Sequence, residues 1–297
     1  MTISRRKFVA ATAAMGVLSI TRRAALADPL GLPLGLQLYS VRKQMADDLD
    51  GALAGVAAAG FTEVEAAALP KKSAAEIRAS LDKAGLRCVS AHHPFGELHA
   101  HFDEIVAYDK ALGVKFLICS SPGYRSPASN TAPWEKRPAV TLDDWRYNAE
   151  QFNAMGEKTA AQGVQFGYHN HIAEFAMTDG KIPYMELLAL TDPKKVTFEL
   201  DCGWAVVGGM KPVDIMEHHP YRITMLHVKD FKLGGSADKN DPTVTELGRG
   251  SIDYAPVFAQ AAKTQHIEHI FVEQEAFDIP WQQSLKVDAD YMRTFHG

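Results

Sequence analysis

Eight short apolar runs, each followed by a helical stretch, constrain this chain more than any other feature. The runs cover residues 34–40, 61–67, 86–93, 114–121, 164–171, 196–204, 223–231 and 269–277. Helical stretches follow at 45–59, 74–84, 98–112, 141–162, 182–190, 212–219, 252–264 and 281–295. Punctuation agrees with this reading: Ser73 is a natural N-cap, Gly60, Gly85, Gly113 and Gly163 are stops, and Pro183 opens a first turn. Strand–helix alternation implies a parallel sheet, and eight units imply closure into a (β/α)8 TIM barrel. An open doubly wound sheet would want a glycine-rich phosphate loop after its first strand. Leu38-Tyr39-Ser40-Val41-Arg42 offers none. The stretch 122–140, rich in Pro, Ser and Asn, reads as a long loop of the functional or mobile kind.

The ends of these strands are polar. Side chains two apart share a strand face. His169 and His171, His227 and Lys229, and Glu273 and Glu275 therefore form same-face pairs, and Phe198-Glu199-Leu200-Asp201 ends in a carboxylate. Gln37 with Tyr39 and Glu63 with Glu65 form two more pairs. Burying such groups costs free energy unless an opposite charge offsets their desolvation. Four such ends in succession point to one shared divalent metal with mixed oxygen and nitrogen ligands, Mn, Co, Zn or Mg. Catalytic residues of a barrel lie at the C-terminal ends of its strands, so fold and site support each other.

Residues 1–27 are a different kind of sequence. Ser4-Arg5-Arg6-Lys7-Phe8 precedes an apolar run to Ile20, and Ala25-Leu26-Ala27 offers small residues for cleavage. Basic, apolar, then A-x-A is a secretory pattern, and the arginine pair fits the twin-arginine route, which exports folded proteins. A Sec signal or an uncleaved basic anchor is the alternative. The expectation is a periplasmic protein, delivered by the export machinery, with a single catalytic domain at 28–297 and no membrane anchor after cleavage. A net charge of −5 argues against a nucleic-acid partner. Cys88, Cys119 and Cys202 lie in apolar runs without a CxxC, as core residues do.

The ordered set of motifs resembles the sugar-phosphate isomerase/epimerase superfamily, the xylose-isomerase-like barrels. It comprises Gly35-Leu36-Gln37-Leu38-Tyr39-Ser40-Val41-Arg42, Tyr168-His169-Asn170-His171, Leu200-Asp201-Cys202-Gly203-Trp204, His227-Val228-Lys229-Asp230, Leu247-Gly248-Arg249-Gly250 and Val272-Glu273-Gln274-Glu275. In ketose epimerases of that superfamily Glu, Asp, His and Glu from strands five to eight hold a divalent metal. The resemblance implies Asp201, His227 and Glu273 as three ligands, and His169 stands where the first Glu is expected. In those epimerases the first and last Glu also move the substrate proton on opposite faces. A histidine at the first position therefore favours isomerisation or elimination over symmetric epimerisation.

The expected chemistry is removal of a proton alpha to the carbonyl of a sugar or oxidised sugar. Glu273 is the first candidate base, His171 a second acid/base, and Lys229 a hydrogen-bond donor to a substrate oxygen. Gln37, Tyr39, Glu65, Trp204, Arg249 and Glu275 are candidate sugar contacts. Either His92 or His93 should line the pocket, but not both, because adjacent residues face opposite ways. Two other functions compete: metal-dependent phosphodiester hydrolysis of the endonuclease IV type, and non-catalytic sugar binding. The acidic balance opposes the first, and an open metal cluster is superfluous for the second.

Overall fold

A computed structural model of the chain describes residues 29–234 and 243–295. The expected leader at 1–27 lies outside the described residues. Eight parallel strands form the barrel: β1 Leu34–Gln37, β2 Glu63–Ala66, β3 Arg87–His93, β4 Phe116–Cys119, β5 Gln165–His169, β6 Val196–Asp201, β7 Ile223–Val228 and β10 His269–Val272. Between the last two, β8 Asp230–Lys232 and β9 Thr243–Thr245 make a small antiparallel ribbon. The barrel closes in the order β1-β10-β7-β6-β5-β4-β3-β2. Among the described residues no helix is long and apolar enough to cross a membrane.

The helices start and stop where local chemistry directs. Ser73 and Glu76 form a reciprocal capping box on the helix Ala74–Ala84, and Thr141 with Asp144 does the same for Leu142–Ala160. Several strands end earlier than the apolar runs suggest. β6 stops at Asp201 because its carboxylate accepts the Trp204 N–H at 2.8 Å and caps the short helix Cys202–Val207. β1 stops at Gln37, whose side chain caps the 3-10 turn Leu38–Val41. The chain leaves β7 at Lys229 because the Asp230 carboxylate accepts the backbone N–H groups of Phe231, Gly248, Gly250, Ser251 and Ile252. The stretch 122–140 holds the helix Pro127–Thr131 and a 3-10 turn Trp134–Lys136. It is tied down by paired hydrogen bonds between Asn130 and Tyr124 and between Asn148 and Gly123.

One apolar core fills the space between barrel and helices, and Cys88, Cys119 and Cys202 sit in it as free thiols. Inside the barrel Val89, Phe116, Ile118, Met225 and Phe271 form a separate apolar layer. Two glycines make that layer possible. A Cβ at Gly35 would stand 2.5 Å from the Phe271 ring, and one at Gly167 would stand 2.6 Å from Ile118. This layer gives the barrel a dry plug, as filled barrel interiors require.

Candidate active site

Strand register assembles the site. His169 pairs with Glu199 across β5 and β6, Asp201 with His227 across β6 and β7, and Gln37 with Glu65 across β1 and β2. Register shifts occur just before Glu65 and just before Glu199. Such bulges re-aim side chains beside sites, and here they turn two carboxylates into the barrel.

The result is a buried polar layer. Oε2 of Glu199 lies 2.6 Å from Nε2 of His92, 2.9 Å from Nδ1 of His169 and 3.3 Å from Nε2 of His227. Oε2 of Glu65 lies 2.7 Å from His227 Nε2 and 2.9 Å from His92 Nε2. Nδ1 of His227 faces Glu273 Oε2 at 3.3 Å. Lys229 is fully buried, with its ammonium 2.8 Å from Glu273, 3.5 Å from Asp201 and in a salt bridge with Glu275. A cavity of about 770 Å³ opens on this layer, with Gln37, Tyr39, His92, His169, His171, Trp204, Glu273 and Glu275 in its walls.

The charges sort by partner. Burial opposes ionisation of Glu65, yet His92 and His227 hold it well below the usual carboxylate range. Burial likewise opposes ionisation of Glu199, as does the charge of Glu65, but the three histidines bring it down to about 2. Burial would lower His92, but Glu65 and Glu199 push it up to about 9. Burial and Glu199 compete in the same way at His227, which rises well above the ordinary imidazole value. His169 falls well below it through burial and the neighbouring His227. Burial also lowers His171. Asp201 is pushed up to about 6 by burial, against the pull of Lys229 and His227.

The residues fit a divalent cation. One ligand atom from each of His169, Asp201, His227 and Glu273 lies within 4.8 Å of the others, and the same holds for His92, His169, Glu199 and His227. Oδ2 of Asp201 and Oε1 of Glu199 are buried without a hydrogen-bond partner, which a protein rarely leaves so unless an ion or water completes the site. The donor set mixes imidazole and carboxylate, as borderline divalent ions prefer.

Most sequence candidates converge here, with Glu65, Asp201, His227 and Lys229 in the buried layer and the others at the cavity wall, and Arg249 does not. Glu65 lies in the buried layer beneath the cavity rather than in its walls: it accepts from Gln37, Ser90, His92 and His227 and is fully buried. Arg249 lies away from the cavity walls, pairs with Glu246 at 3.3 Å and belongs to the loop gathered on Asp230. Glu174, a conceivable substitute ligand, is occupied by the Tyr168 hydroxyl and the His171 N–H. Tyr39 stands at the rim with Arg42 stacked 4.0 Å over its ring. Trp204 lies beside His171 and Lys229. His92 enters the polar layer, and His93 turns to Asp109, yet both reach the cavity wall. Sequence reasoning passed over Glu199, although its two-residue spacing from Asp201 marks a shared face.

The family profile described as "Xylose isomerase-like TIM barrel" matches residues 53–295. An inosose dehydratase from Clostridium botulinum is 25% identical over 243 residues, covering 75% of this chain and 81% of the relative. Another, from Geobacillus thermodenitrificans, is 25% identical over 264 residues, covering 82% and 88%. A crystal structure of a sugar phosphate isomerase/epimerase from Parabacteroides distasonis superposes with a TM-score of 0.69 at 27% identity, covering 88% of this chain and 93% of that one. With its closed eight-stranded barrel and its buried histidine–carboxylate cluster, the chain belongs to the xylose isomerase-like TIM barrel family.

Proposed function

We propose that the protein is a divalent-metal-dependent enzyme that removes a proton alpha to the carbonyl of a keto-sugar, with elimination or isomerisation as the outcome. The observation that carries this reading is the buried ligand cluster of His169, Asp201, His227 and Glu273, which reaches the wall of the cavity through His169 and Glu273. A bound divalent cation would supply Lewis-acid polarisation of the carbonyl and its neighbouring hydroxyl. Glu273 and His171 are the proton acceptors that face the substrate. Glu273 Oε2 is engaged by His227 and Lys229, so its other oxygen is the one left to take a proton. His171, held neutral by burial, offers a lone pair at neutral pH. The Lys229 ammonium, fully buried between Asp201, Glu273 and Glu275, holds the carboxylates of Glu273 and Glu275 in place behind the cavity wall.

Isomerisation returns the proton to the adjacent carbon. Dehydration expels the beta hydroxyl, which takes a proton and leaves as water while a C=C bond forms. The inosose dehydratase relatives support the second outcome, and the sugar isomerase/epimerase neighbours the first. The leader is proposed to carry the folded barrel out of the cytoplasm by the twin-arginine route. Incubation of metal-loaded protein with inosose and with common ketoses tests the reading, with products identified by mass and NMR. Loss of one water or aldose–ketose exchange is expected, and metal-independent hydrolysis would contradict it.

A further inference from the structure

The cavity is larger than the sugar that the polar layer can handle. At the packing density of protein interiors, about 0.74, a hexose fills on the order of 200 Å³, against about 770 Å³ here. The surplus lies to one side, beyond the ends of β2 and β3. Ala67, Leu69 and Pro94 wall it with apolar surface, and His93 supplies a polar group. Nε2 of His93 lies 2.9 Å from Oδ2 of Asp109, a carboxylate that is itself buried. With the Nε2–H donated to Asp109, Nδ1 remains as an acceptor, which suits a hydroxyl hydrogen. The rim carries charges of both signs, Lys71 and Glu97, and Lys72 sits 4.0 Å from Glu76. Apolar walls, the His93 acceptor, the Tyr108 and Ser120 hydroxyls and charges of both signs suit a neutral, hydroxyl-bearing ring.

We infer that this arm is a second subsite, and that the preferred substrate is a keto-sugar carrying a second sugar ring through a glycosidic oxygen. The inference rests on the reading of the polar layer as a keto-sugar site. His93 is the residue that reads the second ring, and Asp109 is a positioning residue for His93.

Calorimetric titration of metal-loaded protein with D-fructose, and with disaccharides in which fructose bears a glucosyl group at O3, O5 or O6, tests it. At least one disaccharide should bind tenfold or more tightly than fructose. In Ala67→Trp, which fills the arm, and in His93→Gln, that ratio should fall to about one. Asp109→Asn should lower the ratio severalfold, with partial recovery in Asp109→Glu, an effect that packing alone would not give. Equal affinity for all four sugars, or a ratio that survives both arm variants, overturns the second subsite. Turnover is followed separately. Preferential disaccharide binding without alpha-proton loss would leave the subsite standing and sink the proposed reaction. Metal-dependent proton loss without a disaccharide preference would do the reverse.

Discussion

Nδ1 of His169 lies 2.9 Å from Oε2 of Glu199, its register partner on the neighbouring strand. A carboxylate on one ring nitrogen fixes the tautomer and leaves Nε2 as the lone-pair ligand, the arrangement that metal-bound histidines adopt. Glu65 stands in the same relation to His227, with Nε2 of His227 at 2.7 Å. Glu199 and Glu65, outside the candidate cluster of His169, Asp201, His227 and Glu273, thus orient its two imidazoles.

Glu199→Gln keeps an acceptor beside His169 and removes the charge. Loss of such a supporting carboxylate costs roughly 10- to 100-fold in metal affinity. Competition titration with a metal-sensitive chelator should show this drop with the far-UV spectrum unchanged. Wild-type affinity in the variant would mean that Glu199 does not support the site.

Lys229 neutralises Asp201, Glu273 and Glu275 inside the protein. Lys229→Met leaves those carboxylates without their cation, and breaking a buried pair costs about 3–5 kcal/mol. Urea denaturation in the presence of chelator should reveal the loss, and added divalent metal should recover part of it. An unchanged midpoint would refute the idea that the ammonium holds this layer together.

Asp288 gives a pH test remote from the ligand cluster. It is buried on the helix Trp281–Met292, accepts the Leu247 N–H at 2.7 Å, and is pushed up to about 7 by burial. A carboxyl raised in the folded state contributes most below its unfolded value of 3.8 and loses that contribution as pH rises through about 7. A rise of about three units corresponds to ~4 kcal/mol at most. Asp288→Asn should therefore match the wild type near pH 4 and exceed it in stability near pH 8. Parallel stability curves for the two proteins over that range would contradict the assignment.

The leader is tested in the cell. Replacing Arg5 and Arg6 with Lys should retain the protein in the cytoplasm, read by fractionation and by persistence of the uncleaved form. Normal export of the double variant would assign the Sec route instead.

The barrel and three members of its candidate metal cluster are legible in the sequence because both leave periodic traces. Strand–helix alternation specified closure, and Asp201, His227 and Glu273 announce themselves as polar groups at the ends of apolar strands. Depth along the barrel leaves no such trace. Alternation shows that Glu65 faces inward, but only the register shift before it, and its neighbours Ser90, His92 and His227, show it to be fully engaged below the cavity. Glu199 was hidden by Asp201, since one carboxylate at a strand end satisfies the pattern. Gly248-Arg249-Gly250 read as a substrate loop because glycine and arginine often serve that purpose. Its glycines instead bring backbone N–H groups to Asp230, a long-range contact that spacing cannot encode.

The central claim is proton removal alpha to a carbonyl at a metal-dependent centre, and solvent-deuterium incorporation measures it most directly. Metal-loaded protein, incubated with inosose or a ketose in deuterated water, should place deuterium at the carbon alpha to the carbonyl in recovered substrate or isomerised product, or show its proton lost in a dehydrated one. Chelation, and Asp201→Asn, should abolish the effect, and a positioned base should contribute about 10²- to 10⁴-fold. Conversion that proceeds with the alpha hydrogen retained, or at the same rate after chelation, would contradict the account.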